Sequence, residues 1–306
     1  RLILRQRALA KLINTYTSVL REAVSPDDGR VHCTFQQTTG VSGRLITTDP
    51  DLQRTPIRSE DGKRIRQAFL PQETWTLISA DWSQIELRVL AHFSKDPRLI
   101  AAFRDEIDLH RATAAELFGV SELDVNSEQR NIGKTVNFAT IYGQGATALG
   151  QQLGLPRKEA KAMIDRYFNV YSGVRSWLDE TIAAAHNDGF VSTLLGRKRY
   201  IPELSSNNFT DRAYGERIAA NTPIQGSAAD LCKLAMLEID RRFKAAGVEA
   251  RMVLQIHDEL LFEAPGNEVE QVTELVRECM EHPYGDDLDV PLKVDIGSGT
   301  SWAEAH

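Results

Sequence analysis

Two acidic segments, far apart in the chain, place carboxylates beside strongly apolar residues. Asp81 follows the mostly apolar run 77–80, and Asp258 and Glu259 interrupt the apolar segment RMVLQIHDELLFEA. Short apolar runs of this kind predict buried strands. Carboxylates on neighbouring strands could bind two Mg²⁺ ions about 4 Å apart, one activating a hydroxyl and one stabilising a leaving oxygen. The two segments therefore indicate metal-assisted phosphoryl transfer.

Each acidic position also has a plain structural interpretation. Asp81 could cap the helix predicted to follow it, and Asp258 with Glu259 could simply form a turn. Against the turn, HDE lacks the Gly or Asn that a tight hairpin prefers. The segment SQIE at residues 83–86 fits a capping box, which by itself would account for Glu86.

The segment RNIGKTVNFATIYG repeats a useful side chain every four residues: Arg130, Lys134, Phe138 and Tyr142. On a helix, steps of four drift by only about 40°, so these residues form one stripe about 18 Å long. Its basic end could neutralise a triphosphate, and its aromatic end could stack on a base or sugar. The Gly-rich break after Tyr142 would allow a ligand or template to approach closely. The alternative is a basic surface stripe that merges into a core aromatic stripe.

A second four-residue repeat lies in ERIAANTPIQGSAAD, where Arg217, Asn221 and Gln225 would share one helical face. Their amides could contact minor-groove acceptors of any sequence. The alternative is an ordinary polar helix surface.

The elements that must position these residues follow from periodicity and breakers. A helix over 1–24 ends at the turn 25–29, a strand follows over 30–37, and residues 38–58 read as a long loop. We then predict a strand over 75–80, a helix over 83–93 and further helices through 97–189. A basic hairpin over 191–204 and helices over 211–246, interrupted near Pro223, follow. The chain continues with strands flanking 257–258, a helix over 267–280 and a last strand within 290–299.

Composition narrows the class of protein. The 306 residues are 42% hydrophobic and 26% charged, as in ordinary soluble proteins, and no window approaches the roughly 18 apolar residues of a membrane span. The three cysteines lack metal-ligand spacing, which favours reduced thiols and a cytoplasmic compartment. Net charge is −7, yet residues 1–70 hold twelve Lys or Arg against seven Asp or Glu, so local potential permits phosphate binding. The uncapped helical pattern at residue 1 suggests a fragment.

Three segments together resemble a known family. DWSQIELRVLAH, RNIGKTVNFATIYG and QIHDELLFEA are similar to motifs A, B and C of the family A DNA polymerases, the bacterial DNA polymerase I type. SGRLITTDPDLQRTPIR, DLHRATAAELFG and TPIQGSAADLCKLAM also match, so the resemblance covers nearly the whole chain. It implies an α+β right-hand polymerase fold with an antiparallel palm sheet, helical fingers and a truncated thumb. The implied boundaries are 1–48 for the thumb and its connection, 49–87 and 206–306 for the palm, and 88–205 for the fingers.

The resemblance also implies an activity: template-directed addition of deoxynucleotides to a primer 3′-hydroxyl by two-metal-ion phosphoryl transfer, with release of pyrophosphate. The implied cofactor is two Mg²⁺ ions. The implied catalytic residues are Asp81, Asp258 and Glu259, with Asp81, Asp258 and the Trp82 carbonyl as metal ligands. The implied nucleotide-binding residues are Arg130, Lys134, Phe138, His110, Glu86 and Gln84, with Glu86 selecting deoxyribose. The implied DNA-binding residues are Tyr142, Arg44, Arg217, Asn221, Gln225 and His257, with Gln84 near the primer end.

Three departures from the family pattern and two rival functions accompany this resemblance. Trp82 stands where Tyr is usual, Arg54 replaces a usual Asn, and Gln144 stands where Met is frequent. A single-subunit RNA polymerase is disfavoured by Glu86 and Phe138, and a non-catalytic DNA-binding platform would need no metal ligands. We expect a monomeric enzyme of DNA replication or repair that binds primer-template DNA and deoxynucleoside triphosphates and does not proofread. We expect it in the cytoplasm, at the bacterial nucleoid unless the protein is of phage or organellar origin, with no membrane partner.

Overall fold

The computed structural model describes residues 2–56 and 60–306 as helices joined to three antiparallel sheets. The strands are β1 Thr34–Gln36, β2 Ile46–Thr48, β3 Trp75–Trp82, β4 Phe190–Ser192, β5 Lys198–Tyr200, β6 Arg251–Ile256, β7 Glu259–Pro265, β8 Pro283–Asp286 and β9 Val294–Gly299. The α-helices are α1 Leu2–Leu12, α2 Ser18–Glu22, α3 Glu60–Arg66, α4 Ile85–Ser94, α5 Pro97–Arg104, α6 Leu109–Phe118, α7 Ser127–Ile141, α8 Ala146–Leu153, α9 Arg157–Val170, α10 Ser172–Asp188, α11 Phe209–Ala246, α12 Val269–Glu281 and α13 Trp302–Ala305. A π-helical turn, Ile13–Thr17, joins α1 to α2.

The chain divides into two compact units. The sheet unit comprises Arg1–Ser83, Leu231–Pro283 and Lys293–His306, and the helical unit comprises Gln84–Asp230 and Tyr284–Leu292.

The sheet unit is built on four antiparallel strands in the order β6-β7-β3-β9. One cluster of buried side chains combines Leu77 of β3 and Leu261 of β7 with Trp302 of α13. Helix α12 contributes Val272 and Val276, which are fully buried and one turn apart, as an amphipathic helix on a sheet requires. Strand β3 is therefore held on both sides by partner strands and on both faces by packing.

Three consecutive helices of the helical unit, α5, α6 and α7, begin with side-chain caps. Asp96 and Asp108 accept backbone N–H groups at the starts of α5 and α6, and Asn126 forms a capping box with Gln129 at the start of α7. Helices α6 and α7 approach closely at Gly133, where an added Cβ would lie 2.3 Å from the His110 carbonyl oxygen. Only glycine permits that contact.

Most sequence predictions of elements are confirmed, and the α+β class is confirmed by the mixture of helices and antiparallel sheets. The predicted interruption near Pro223 is wrong: α11 runs through it, because its neighbours Ile224 and Ala220 are buried and packing offsets one lost hydrogen bond. The predicted loop 38–58 contains β2 and a short 3₁₀ turn, Leu52–Arg54. The last two residues of that predicted loop, and residue 1 of the predicted first helix, lie outside the described residues.

The division into palm, fingers and thumb at the predicted boundaries stays a prediction. The three cysteines are free thiols, as predicted. None of the described helices combines the length and the apolar character needed to cross a membrane.

Candidate active site

The two acidic segments meet in the sheet unit, because β3 pairs with β7. Asp81 is directly opposite Glu259 in the antiparallel register, and the Trp82 N–H donates to the Asp258 carbonyl oxygen at 3.1 Å. Asp81 is half-buried near the end of β3, a central strand of the sheet. It is not a helix cap, since the N-cap residue of α4 is Gln84.

Asp258 occupies the second position of a two-residue hairpin turn between β6 and β7. The tight hairpin forms without Gly or Asn because His257 takes the left-handed conformation, with φ of 52°. A non-glycine residue there is strained by about 1 kcal/mol or more. The Gln255 side-chain amide holds the turn by donating to the His257 carbonyl oxygen at 2.6 Å. The hairpin thus fixes the position of one carboxylate at the expense of local strain.

Glu259 is buried and its carboxylate is occupied by protein donors. Ser79 Oγ donates to Oε1 at 2.6 Å, and Trp302 Nε1 donates to the same oxygen at 2.8 Å. Arg66 lies 3.6 Å from Oε2 and stacks its guanidinium 3.9 Å from the Trp302 ring centroid. Burial alone would raise the pKa of Glu259, but hydrogen bonds from His306, Ser79 and Trp302 outweigh it and lower the pKa. The predicted catalytic role of Glu259 is untested. These contacts hold its carboxylate in place at the start of β7.

The other two carboxylates carry poorly compensated charge. Burial, then the negative charges of Asp258 and Glu259, raise the pKa of Asp81 to about 7. Burial also raises the pKa of Asp258, and Arg44, whose Nη2 lies 3.5 Å from Asp258 Oδ1, opposes that shift. A divalent cation would relieve the repulsion between these carboxylates.

The donors suit a hard cation, since they are carboxylate oxygens and a main-chain carbonyl rather than sulfur or imidazole. Within residues 2–56 and 60–306, no group of three or more His, Cys, Asp or Glu side chains is arranged to hold a metal ion. Two carboxylates and the Trp82 carbonyl therefore remain as the ligand set, and metal binding by them stays a prediction. The Trp82 indole is buried and donates to the Met280 carbonyl oxygen at 2.6 Å, which accounts for this bulky residue beside Asp81.

In the helical unit, α7 displays the predicted stripe. Arg130 and Phe138 are half-buried, Lys134 and Tyr142 are exposed, and the opposite side of the helix is buried. The rings of Phe138 and Tyr142 lie nearly parallel, with centroids 6.3 Å apart. The one-stripe geometry predicted from the spacing is confirmed by these positions, whereas its ligand is untested.

Glu86 and Tyr142, both in the helical unit, are linked by a side-chain hydrogen bond. The Tyr142 hydroxyl donates to Glu86 Oε2 at 2.6 Å, and Glu86 is buried. The N-cap residue of α4 is Gln84, rather than the Ser83 that a capping box over residues 83–86 requires. The carboxylate is instead held beside the aromatic end of the stripe.

His110 lies at the start of α6, near the basic end of the stripe. Burial, then the positive charges of Lys134 and Arg130, lower the pKa of His110 to about 4. Arg130 Nε donates to Asp108 Oδ2 at 2.6 Å, so this cation is already paired before any ligand is considered. The arrangement supplies cations and a neutral imidazole in one small region.

The remaining residues predicted to contact DNA or nucleotide lie on α11 and at the start of α4. Arg217, Asn221 and Gln225 share one face of the continuous helix α11. Among the described residues, no hydrogen-bond partner satisfies the buried Asn221 Oδ1 or the buried Gln84 Oε1. Buried polar atoms are rarely left unpaired, so both positions suit contact with a ligand.

Sequence reasoning missed the residues that support the predicted ones. Ser79, Arg66 and Trp302 surround Glu259, and Asn137 binds the His110 ring. The alternation of β3 could have placed Ser79 on the same face as Asp81, because they are two residues apart on one strand. No local pattern points to Trp302.

Comparisons with known proteins agree over the whole chain. A family model described as DNA polymerase family A matches residues 1–304. DNA polymerase I of Bacillus subtilis is 49% identical over 304 residues, covering 99% of this chain and 34% of that protein, and DNA polymerase I of Pseudomonas aeruginosa is 47% identical over 306 residues, covering 100% and 33%. The chain thus spans about a third of the length of these relatives. A solved structure of the POL domain of Pol1 from M. smegmatis in complex with DNA primer-template and dNTP superposes with a TM-score of 0.95 at 45% identity, covering 99% of this chain and 53% of that one.

Proposed function

The chain belongs to DNA polymerase family A, and from that premise we propose that it adds deoxynucleotides to the 3′-hydroxyl of a primer under the direction of a DNA template. The proposed reaction is in-line attack of the primer 3′-oxygen on the α-phosphate, with pyrophosphate leaving. The observation that carries the proposal is the β3–β7 pairing, which puts Asp81 opposite Glu259 with Asp258 in the adjoining turn. The solved structure of the POL domain of Pol1 from M. smegmatis, in complex with DNA primer-template and dNTP, supports the choice of substrates.

Asp81, Asp258 and the Trp82 carbonyl are the proposed ligands of two Mg²⁺ ions. When bound, such ions would lower the pKa of the primer hydroxyl and neutralise charge on the leaving pyrophosphate. The hydrogen-bonded strands of the sheet unit fix the carboxylates of Asp81 and Asp258, and Arg44 limits the repulsion between these two carboxylates. This supports a rigid, preorganised site rather than a flexible one.

The α7 stripe is the proposed nucleotide-binding surface. Lys134 and Arg130 would neutralise the triphosphate, and Phe138 would border the sugar and base. Glu86, held by Tyr142, would exclude a 2′-hydroxyl and so select deoxyribose. Tyr142, Gln84, Arg44, Arg217, Asn221, Gln225 and His257 are the proposed primer-template contacts. The proposed setting is the bacterial cytoplasm, in DNA replication or repair.

Primer extension tests the proposal directly. The purified chain, a short labelled primer-template, Mg²⁺ and the complementary dNTP should yield a primer longer by one nucleotide. Asp258→Asn should slow extension by about a thousandfold or more, because metal ligation contributes several kcal/mol to the transition state. Asp295→Asn is the matched control, since this exposed residue faces Asp81 from β9 but has no proposed ligand role.

Parallel reactions separate the rival functions. Efficient extension with ribonucleotides instead of deoxynucleotides would favour an RNA polymerase-like enzyme. Primer-template binding, measured by fluorescence anisotropy at low salt, with no extension by any nucleotide would favour a non-catalytic platform. Extension that survives Asp258→Asn would reject the assigned ligands.

A further inference from the structure

A buried hydrogen-bond chain in the helical unit ends on the ring of His110. Tyr171, between α9 and α10, contacts Thr113 of α6 through the two hydroxyls at 3.1 Å. Thr113 Oγ1 donates to Asn137 Oδ1 of α7 at 3.0 Å, and Asn137 Nδ2 lies 3.0 Å from His110 Nδ1. All four side chains are buried. Three separate segments therefore converge on one imidazole nitrogen.

The helix packing brings these groups together. Gly133 lies one turn before Asn137, and its missing side chain lets α7 approach the His110 carbonyl oxygen. Thr113 follows His110 by nearly one turn of α6, so both face α7. The polar groups meet because the two backbones are unusually close.

The direction of the bonds follows from counting protons. If Tyr171 donates to Thr113 and Thr113 donates to the Asn137 oxygen, every hydroxyl proton is used and the Asn137 amide N–H donates to His110 Nδ1. With the amide reversed, Thr113 would donate to Tyr171, and the Tyr171 proton would have no acceptor among residues 2–56 and 60–306. A buried unsatisfied hydroxyl is costly, so the first arrangement is preferred. His110 Nδ1 is then an acceptor, and the ring proton is on Nε2.

We propose that Asn137 is a positioning residue that holds His110 as the neutral Nε2–H tautomer, which donates a hydrogen bond to the polyphosphate of the incoming nucleotide. This rests on the proposed polymerase function. His110 Nε2 has no hydrogen-bond partner among the described residues, so its proton is available to a ligand oxygen. A neutral donor adds directionality without adding a third positive charge beside Arg130 and Lys134.

The charged groups around the ring agree with this assignment. Burial lowers the pKa of His110, and Lys134 and Arg130 lower it further, whereas Asp108 acts in the opposite direction. Phe138 contributes an uncharged neighbour, with ring centroids 5.9 Å apart. The imidazole is therefore neutral at physiological pH, and Asn137 selects which nitrogen carries the proton.

Nitrogen-15 NMR of histidine-labelled protein, without nucleotide, tests the assignment. At pH 7.5 His110, identified by comparison with His110→Gln, should show a protonated Nε2 and an unprotonated Nδ1. Asn137→Asp should move the proton to Nδ1, because a carboxylate there can only accept. A protonated Nδ1 in the parent, or an unchanged ring in Asn137→Asp, would overturn the proposal.

Kinetics separate positioning from structural support. Asn137→Asp should raise the KM for dNTP by about tenfold or more, the usual effect of losing a hydrogen bond to a charged group, with a smaller change in kcat. Thr113→Val should act in the same direction, and Thr113→Ser, which keeps the hydroxyl, should restore the parent KM. Equal KM values for Thr113→Val and the parent would count against the relay.

The two readouts distinguish this inference from the proposed function. If the parent shows the Nε2–H tautomer but incorporates no nucleotide, the polymerase assignment fails and the ligand role of His110 fails with it. If the parent incorporates nucleotide but the tautomer is Nδ1–H, only the inference about Asn137 is rejected. Circular dichroism melting curves identify any variant that fails to fold.

Discussion

Replacement of Asp81 by Asn should stabilise the metal-free protein at alkaline pH. Asn has nearly the same shape as Asp and no charge. In the folded protein, burial and the neighbouring carboxylates of Asp258 and Glu259 disfavour an ionised Asp81. The variant removes that unfavourable charge while leaving the β3–β7 pairing intact.

The magnitude follows from the pKa of Asp81, which is about 7 in the folded protein against an ordinary value of 3.8. A difference of about three pH units corresponds to at most about 4 kcal/mol. Because the side chain is only half-buried, solvent screening reduces the effect, and we expect about 1–3 kcal/mol. The folded state binds the Asp81 proton more tightly, so the contribution of Asp81 to the free energy of unfolding is fully present below pH 4 and is lost as pH rises through about 7. The gain from Asp81→Asn should therefore appear above pH 7 and vanish near pH 4.

The assay is thermal and urea denaturation in EDTA at pH 4 and pH 8. Asp124→Asn serves as the control, because this exposed carboxylate lies far from β3 in sequence and should show no such pH dependence. Addition of millimolar Mg²⁺ at pH 8 should stabilise the parent and not Asp81→Asn.

Two results would refute the reasoning. An Asp81→Asn protein no more stable than the parent at pH 8 would show that the carboxylates do not repel one another. A gain of equal size at pH 4 and pH 8 would show that it arises from packing rather than charge.

Four other outcomes are expected. Gly133→Ala should lower stability by about 1–3 kcal/mol in urea denaturation, because its Cβ would lie 2.3 Å from a carbonyl oxygen, whereas Gly145→Ala, with open space around it, should not. Because the pKa of His110 is lowered from 6.5 to about 4, stability should fall by up to about 3 kcal/mol as pH drops from 6.5 towards 4, and His110→Gln should lose this dependence in the same assay. Glu86→Ala should increase ribonucleotide relative to deoxynucleotide incorporation by about tenfold or more in primer extension, and an unchanged ratio would reject the sugar-selection role. A mismatched primer 3′ end should remain intact when the 306-residue chain is incubated with Mg²⁺ and no nucleotide, and its shortening would contradict the expected lack of proofreading.

Local patterns in the sequence were enough to predict the helices and the α7 stripe. A repeat of four residues fixes the face of α7 before any tertiary contact is known, because helix geometry alone sets the angle between Arg130 and Tyr142. The Gly-rich break after Tyr142 is a real helix end, since Gly143 adopts a positive φ. Family membership followed from three short motifs for the same reason, as each is contiguous in the chain.

Local reasoning failed where neighbours outweighed propensity. Pro223 does not end its helix, because the residues around it are buried and the packing of α11 outweighs the missing hydrogen bond. The turn at His257 is tight without glycine, because Gln255 and the paired strands stabilise a strained residue. Propensity describes an isolated segment, and these segments are not isolated.

The sequence by itself determined the family, the class of fold, the helical faces and the identity of the acidic and basic residues. The tertiary structure alone decided that Asp81 pairs opposite Glu259, that Trp302 and Ser79 occupy the Glu259 carboxylate, and that Asn137 contacts His110. The physical reason is that strand register and helix crossing depend on packing between segments distant in the chain. Periodicity within one segment cannot specify which atoms of another segment it will meet.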